Sequence, residues 1–366
     1  MTNALSLYLD VLRFGAAFTV FLSHYSAERI SGGLFWHVAD YGRAAVLLFF
    51  VLSGFVIAWV SETRERNLED FALSRVARLY SVVVPALIAT AVLDHFGKGI
   101  EPTLYGPQLG HGTTHPVLDF MLSVVFLGES WTLAVLPGVN VPFWSLNYEA
   151  WYYVFFAAAT FLHGRPRAAA LVVAALLAGP KILVLFPVWL MGVAAWRWRN
   201  ALPMGRGSLL VMLSLAAFAG IETLGGQSLF RQSTTPWLPP SYSGYDYVFG
   251  ALVAVFIAGL ANARLAAPGP GLQRLIRWLA GTSFGLYLLH YPLLNFFAAV
   301  IPGPDDGAMH RVLVFGLALG VALALAHIVE QRKGALKRWL RAALDAGGFL
   351  SSACRGIREI RKRTAP

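Results

Sequence analysis

The chain is poor in cysteine and poor in charge. Its 366 residues hold one cysteine, Cys354, which excludes an intrachain disulfide and gives no cysteine metal cluster. Only 13% of residues are Asp, Glu, Lys or Arg, about half the share found in soluble domains. Such a surface cannot face mostly water. Also missing are alternating ten-residue strand patterns, which argues against a β-barrel. The P-loop and HExxH patterns are absent too, so no ATP site or zinc-protease site is expected. The first apolar run has no basic segment before it and no small-residue cleavage site, so it reads as a retained helix and not a signal peptide.

What is present is apolar: 57% hydrophobic residues, in runs of helical length. The expected fold is an all-α polytopic membrane bundle of about ten helices. The spans fall near 4–25, 43–60, 77–95, 143–162, 167–180, 181–196, 208–224, 245–263, 279–301 and 310–329. The fifth and sixth join at Gly179-Pro180-Lys181 and form a hairpin that need not cross fully. Residues 118–135 are apolar but carry Asp119 and Glu129, and they are expected to lie in or re-enter the outer leaflet.

The net charge of +10 does not mark nucleic-acid binding, because of where the cations fall. With both termini in the cytoplasm, 22 of the 29 Lys and Arg lie on the cytoplasmic side, ten of them after residue 330. Residues 1–335 are expected to form one membrane domain. Residues 336–366 read as a basic cytoplasmic tail, amphipathic at the inner leaflet.

Ionisable residues inside an apolar helix usually face a protected interior. Arg13 and His24 are eleven residues apart, which at ~100° per residue returns to within ~20° of the same face, ~16 Å along the axis. Asp10, three residues before Arg13, shares that face. His24 is either a packing histidine or a base that takes a proton from a hydroxyl; Arg13 on its face favours the base. Arg75 and Arg78 share a helix face suited to a phosphate, or else serve as membrane-surface anchors. Glu149, in the aromatic run PFWSLNYEAWYY, is expected to meet His24 and fix its tautomer. Trp144 and Tyr152 in that run read as interfacial aromatics.

His290 lies in SFGLYLLHYPLL, where Pro292 should kink the helix, and is structural or catalytic. Glu330 reads as a solvated ion pair. His111 and His115 have a zinc-like spacing, but a Gly-Thr loop does not hold two imidazoles in place for a metal. Trp237, Tyr242, Tyr245 and Tyr247 stack on sugars or form an interfacial belt.

Five stretches, YLDVLRFGAAFTVFLSHY, GRAAVLLFFVLSGFVIAW, LSRVARLYSVVVPAL, VPFWSLNYEAWYYVFF and TSFGLYLLHYPLL, occur in this order. Together they resemble the acyltransferase-3 family of bacterial inner-membrane O-acyltransferases, from about residue 5 to 335. The resemblance implies acyl transfer from cytoplasmic acyl-CoA, most often acetyl-CoA, to a hydroxyl of a cell-envelope or exported glycan or glycolipid. It implies no metal and no nucleic acid, and it leaves room for envelope-glycan biosynthesis proteins as partners.

Residue by residue, His24 matches the family's essential histidine, Arg13 its partner, and Arg75 and Arg78 the RxxR pair linked with acyl-CoA. Glu149 matches the acid after Trp-Ser-Leu. Asp10, Trp144, Ser145, Asn147, Tyr287 and His290 are the candidate substrate-binding residues. The chain departs from the family pattern at Val11-Leu12, at Arg43-Ala-Ala and after Glu330, where a proline often follows. No stretch corresponds to the soluble hydrolase-like domain that some members append.

Other readings remain. A secondary transporter would use Arg13, His24 and Asp10 as a relay, but should show inverted repeats, which the sequence lacks. A non-catalytic partner in polysaccharide export is another. A third keeps the enzyme and changes the acceptor to a small molecule such as an antibiotic sugar.

Overall fold

The computed structural model describes residues 1–105, 115–201, 205–225 and 244–347. Among these every regular element is helical. Twelve helices longer than one turn follow in order. They are α1 Asn3–Tyr25, α2 Tyr41–Thr63, α3 Leu68–Ile100, α4 Pro116–Val124, α5 Phe143–Phe161 and α6 Gly164–Ala178. Then come α7 Pro180–Trp198, α8 Gly207–Thr223, α9 Gly244–Asn262, α10 Pro270–Val300, α11 Ala308–Glu330 and α12 Lys333–Gly347. Each of the ten expected spans is a helix. Seven of them, α1, α2, α3, α7, α9, α10 and α11, are long and apolar enough to cross a membrane.

Local chemistry sets the helix ends. Thr2 caps α1 by accepting the Leu5 N–H at 3.2 Å, and Asn67 caps α3 by accepting the Asp70 N–H at 2.8 Å. Prolines open α4, α7 and α10, where no N–H is needed. These signals start α3 and α10 nine residues before the apolar runs do. α10 continues as one helix through the buried Pro292.

α1, α2, α3 and α10 form the centre, with α5 and α7 against them and α8 and α11 at the periphery. α2 and α7 approach at two glycines. A Cβ on Gly54 would lie 2.1 Å from the Trp189 carbonyl, and one on Gly192 would lie 2.0 Å from that of Val51. Both positions therefore demand glycine.

The stretch 118–135 is not one span. α4 exposes Val117, Leu118 and Met121 and buries Asp119 and Ser123 on its opposite face. An irregular strap, 125–142, then runs into the protein. Its backbone polar groups need partners away from water. Val139 N–H donates to Asp94 at 3.0 Å, Gly128 N–H donates to Asn147 at 3.2 Å, and Asn140 donates to Thr90 and the Leu288 carbonyl, both at 3.0 Å. Glu129 is ion-paired with Lys181 at the start of α7. Burial pushes the Glu129 carboxyl up, and Lys181 holds part of that rise back.

α12 lies on α3, with Lys337 donating to Ser74 and Arg341 paired with Asp70. The tail from 348, Trp237, Tyr242 and His111 lie outside the described residues. Tyr245 and Tyr247 are helix ties, bonding Glu222 and the Val184 carbonyl, each at 2.7 Å.

Candidate active site

α1 and α10 lie side by side, and each turns a polar stripe to the seam. On α1 the stripe is Asp10, Arg13 and His24. On α10 it is Ser283, Tyr287, His290, Tyr291 and Asn295, where 283–287, 287–290, 287–291 and 291–295 are steps of three or four, with Arg277 nearer the start of the helix. At one end Asp10 joins two cations, Arg13 at 3.3 Å and Arg277 by a second ion pair. Arg277 also donates to Ser6 at 2.7 Å and Asn3 at 2.9 Å.

Two cavities meet beside Arg13. The first, about 160 Å³, is polar. Arg13, Arg78, Arg277 and Lys333 line it against two acids, Asp10 and Glu330, so cations prevail. Glu330 is not a solvated end group, because it accepts the Gly285 N–H of α10 at 2.8 Å. The second cavity, about 50 Å³, lies deeper and is mainly apolar, walled by Phe49, Phe50 and Val56. Arg13, Arg78, Ser283 and Phe284 border both.

Glu149 faces the deeper cavity and accepts from Ser53 at 2.8 Å and from Tyr153. The expected contact with His24 is not made. Glu149 lies at the depth of Ser53, midway along α2, whereas His24 is in the last turn of α1. Ser145 and Tyr287 hydroxyls bond each other at 2.8 Å, and Tyr287 also donates to the Pro142 carbonyl at 3.1 Å, forming one wall of that cavity.

Past that wall stands His24. Its ring centroid is 5.3 Å from that of His290 and 4.6 Å from that of Tyr291. The Tyr291 hydroxyl accepts from Arg29 at 2.5 Å, and Arg29 donates in turn to Asn295 at 2.8 Å. Arg29 carries no motif signal in a single chain, and Tyr291, though inside TSFGLYLLHYPLL, was not among the candidates; its place four residues from Tyr287 on the α10 stripe is the signal that could have found it.

The RxxR pair divides. Arg78 lines both cavities. Arg75 is turned away and donates to both Glu65 oxygens, at 2.9 and 2.8 Å, between the rings of Phe71 and Tyr153. Of the other candidates, Asn147 holds the strap and Trp144 packs on Phe50 and Tyr148. Neither lines the two cavities.

Comparison with known proteins agrees with this architecture. A family model described as an acyltransferase domain, that of the acyltransferase-3 family, matches residues 6–328. Acyltransferase MdmB of Streptomyces mycarofaciens is 33% identical over 154 residues, which cover 40% of this chain and 37% of that protein. The chain thus aligns with little more than a third of that relative's length. No solved structure matches the chain significantly. The chain belongs to the acyltransferase-3 family and is a multi-pass membrane protein.

Proposed function

We propose that this acyltransferase-3 protein moves an acyl group, most often acetyl, from cytoplasmic acyl-CoA to a hydroxyl of a cell-envelope or exported glycan. On this reading it works in the bacterial inner membrane with both termini in the cytoplasm. The observation that carries the proposal is the pairing of cavities at Arg13 and Arg78. A cation-rich mouth suits phosphates. A narrow apolar cavity behind it suits a thin acylated arm. The α1–α10 seam then leads to an imidazole.

Arg78, Arg277 and Lys333 would bind the donor's phosphates, and Arg13 would hold an oxygen of the arm or thioester. His24 takes the proton of the acceptor hydroxyl, whose oxygen attacks the thioester carbon. The tetrahedral intermediate collapses, the carbon–sulfur bond breaks, and the thiolate leaves with the proton from His24. The thioester supplies the driving force. Glu149, with Ser53 and Tyr153, shapes the cavity and does not act on the base.

Inside-out vesicles given acetyl-CoA labelled in the acetyl group provide the test. Label should enter envelope glycan with the wild type and not with His24→Ala. Wild-type vesicles that consume no more acetyl-CoA than empty ones would overturn the donor assignment and favour transport. Undiminished labelling with His24→Ala would overturn the base.

A further inference from the structure

His290 is wholly buried on α10, and its Nδ1 lies 3.0 Å from the Leu286 carbonyl oxygen. A carbonyl only accepts, so Nδ1 carries the proton and Nε2 is a bare lone pair. That Nε2 is buried and has no hydrogen-bond partner. Burying an acceptor without a donor is costly, so a donor should be close.

Four rings surround it. Phe21, at 6.0 Å between centroids, has no donor. Tyr287, at 6.2 Å, has its hydroxyl engaged with Ser145 and the Pro142 carbonyl. Tyr291 is the farthest, at 6.4 Å, and its hydroxyl sits at the Arg29 guanidinium, from which it accepts, out of reach of Nε2. His24 is nearest, at 5.3 Å. Two imidazoles joined by an N–H···N bond of ~2.9 Å have centroids ~5.2 Å apart, because ring atoms lie ~1.15 Å from their centroid. A turn of the His24 ring about its Cβ–Cγ bond is the motion needed to aim a nitrogen at the waiting lone pair.

We propose that His290 is the positioning residue for His24: its Nε2 accepts the N–H of the His24 ring and leaves the other His24 nitrogen bare toward the acceptor. The role in catalysis rests on the reading of His24 as the base. The relay then runs from the Leu286 carbonyl through both imidazoles to the acceptor hydroxyl. A neutral ring takes the place that a carboxylate holds in a Ser-His-Asp triad. The carboxylate expected there from the sequence, Glu149, is engaged elsewhere.

The test needs no turnover at first. Protein labelled with nitrogen-15 histidine and held in micelles should show a through-bond coupling between the His24 N–H and His290 Nε2, with His24→Gln assigning the signal. His24 should show one tautomer, and His290→Met should give a mixture. No coupling in the wild type, or an unchanged tautomer in His290→Met, would overturn the proposal. In the transfer assay His290→Met should lower kcat about a hundredfold, with both KM values within about threefold. His290→Gln, whose Oε1 can accept the same N–H, should recover most of it. Equal losses in the two variants would mean packing alone and would also overturn it. A wild type with no acyl transfer would sink the proposed function while the coupling still decides the imidazole contact.

Discussion

The division of Arg75 from Arg78 makes a quantitative claim. Both Arg75 and Glu65 are close to buried, with side chains 11% and 12% exposed, and they make two hydrogen bonds under 3 Å. A charge pair ~4 Å apart at an effective dielectric of ~20 is worth ~4 kcal/mol. Removing one partner strands the other, at a cost of about 3–5 kcal/mol, while removing both restores much of the loss. Arg75→Met should therefore destabilise by about 3 kcal/mol. Arg75→Met with Glu65→Leu should return to within about 1–2 kcal/mol of wild type. The Arg78 guanidinium lines the cavities and, unlike that of Arg75, makes no hydrogen bond or ion pair among the described residues, so Arg78→Gln should leave stability nearly unchanged. It should instead weaken acetyl-CoA binding by about 10- to 150-fold, the value of one lost contact to a charged group at ~1.5–3 kcal/mol. Unfolding in mixed SDS micelles, followed by tryptophan fluorescence, reads the first effect, and calorimetric titration with acetyl-CoA reads the second. If Arg75→Met is as stable as wild type and weakens donor binding as much as Arg78→Gln does, the assignment is wrong.

Other substitutions probe the same framework. Gly54→Ala should lower stability by about 3 kcal/mol, because its new methyl meets the Trp189 backbone, whereas Gly15→Ala, with open space, should be neutral or slightly favourable; fluorescence size-exclusion on heating separates them. Glu149→Gln keeps the shape and an oxygen that accepts from Ser53 and Tyr153, so it should fold, bind donor and turn over within about threefold of wild type, whereas Glu149→Ala, which empties the wall, should be at least tenfold slower; label transfer in vesicles measures both. Arg341→Ala should cost less than about 1 kcal/mol, because its pair with Asp70 is solvent-exposed; the micelle unfolding assay applies here too.

Much of the seam was legible, for a geometric reason. Once 4–25 is a helix, the 3.6-residue repeat alone puts Asp10, Arg13 and His24 on one stripe, and no tertiary information is needed. The stripe on α10 follows the same rule, yet its importance depends on lying beside α1, which no spacing reveals. That is why Tyr291 and Arg29 went unread and His290 stayed open between packing and chemistry. RxxR spacing put Arg75 and Arg78 on one helix face, as a pair for a single phosphate, and the structure divides them. The spacing could not show that the loop before α3 returns Glu65 to one of them. Glu149 was placed on the right helix but at the wrong depth. The strap 125–142 fills the space above α5, and irregular backbone of that kind leaves no periodic signature.

The dimensions of the deeper cavity bear on how transfer would proceed. About 50 Å³ admits one or two waters, each needing ~30 Å³, and not an acylated pantetheine arm. Under the proposed function the donor must therefore widen it. Helix backbones packed as closely as those at Gly54 and Gly192 resist separation, so the adjustment falls to side chains. Tyr287 stands between this cavity and His290, held by two hydrogen bonds, to Ser145 and the Pro142 carbonyl. Two such bonds are worth only about 1–3 kcal/mol net, well within what four cations closing on a polyphosphate can offset. Donor binding and opening toward His24 would then be one coupled event. Without donor the histidines would stay walled off from the cation-rich mouth, which keeps water entering there away from the base.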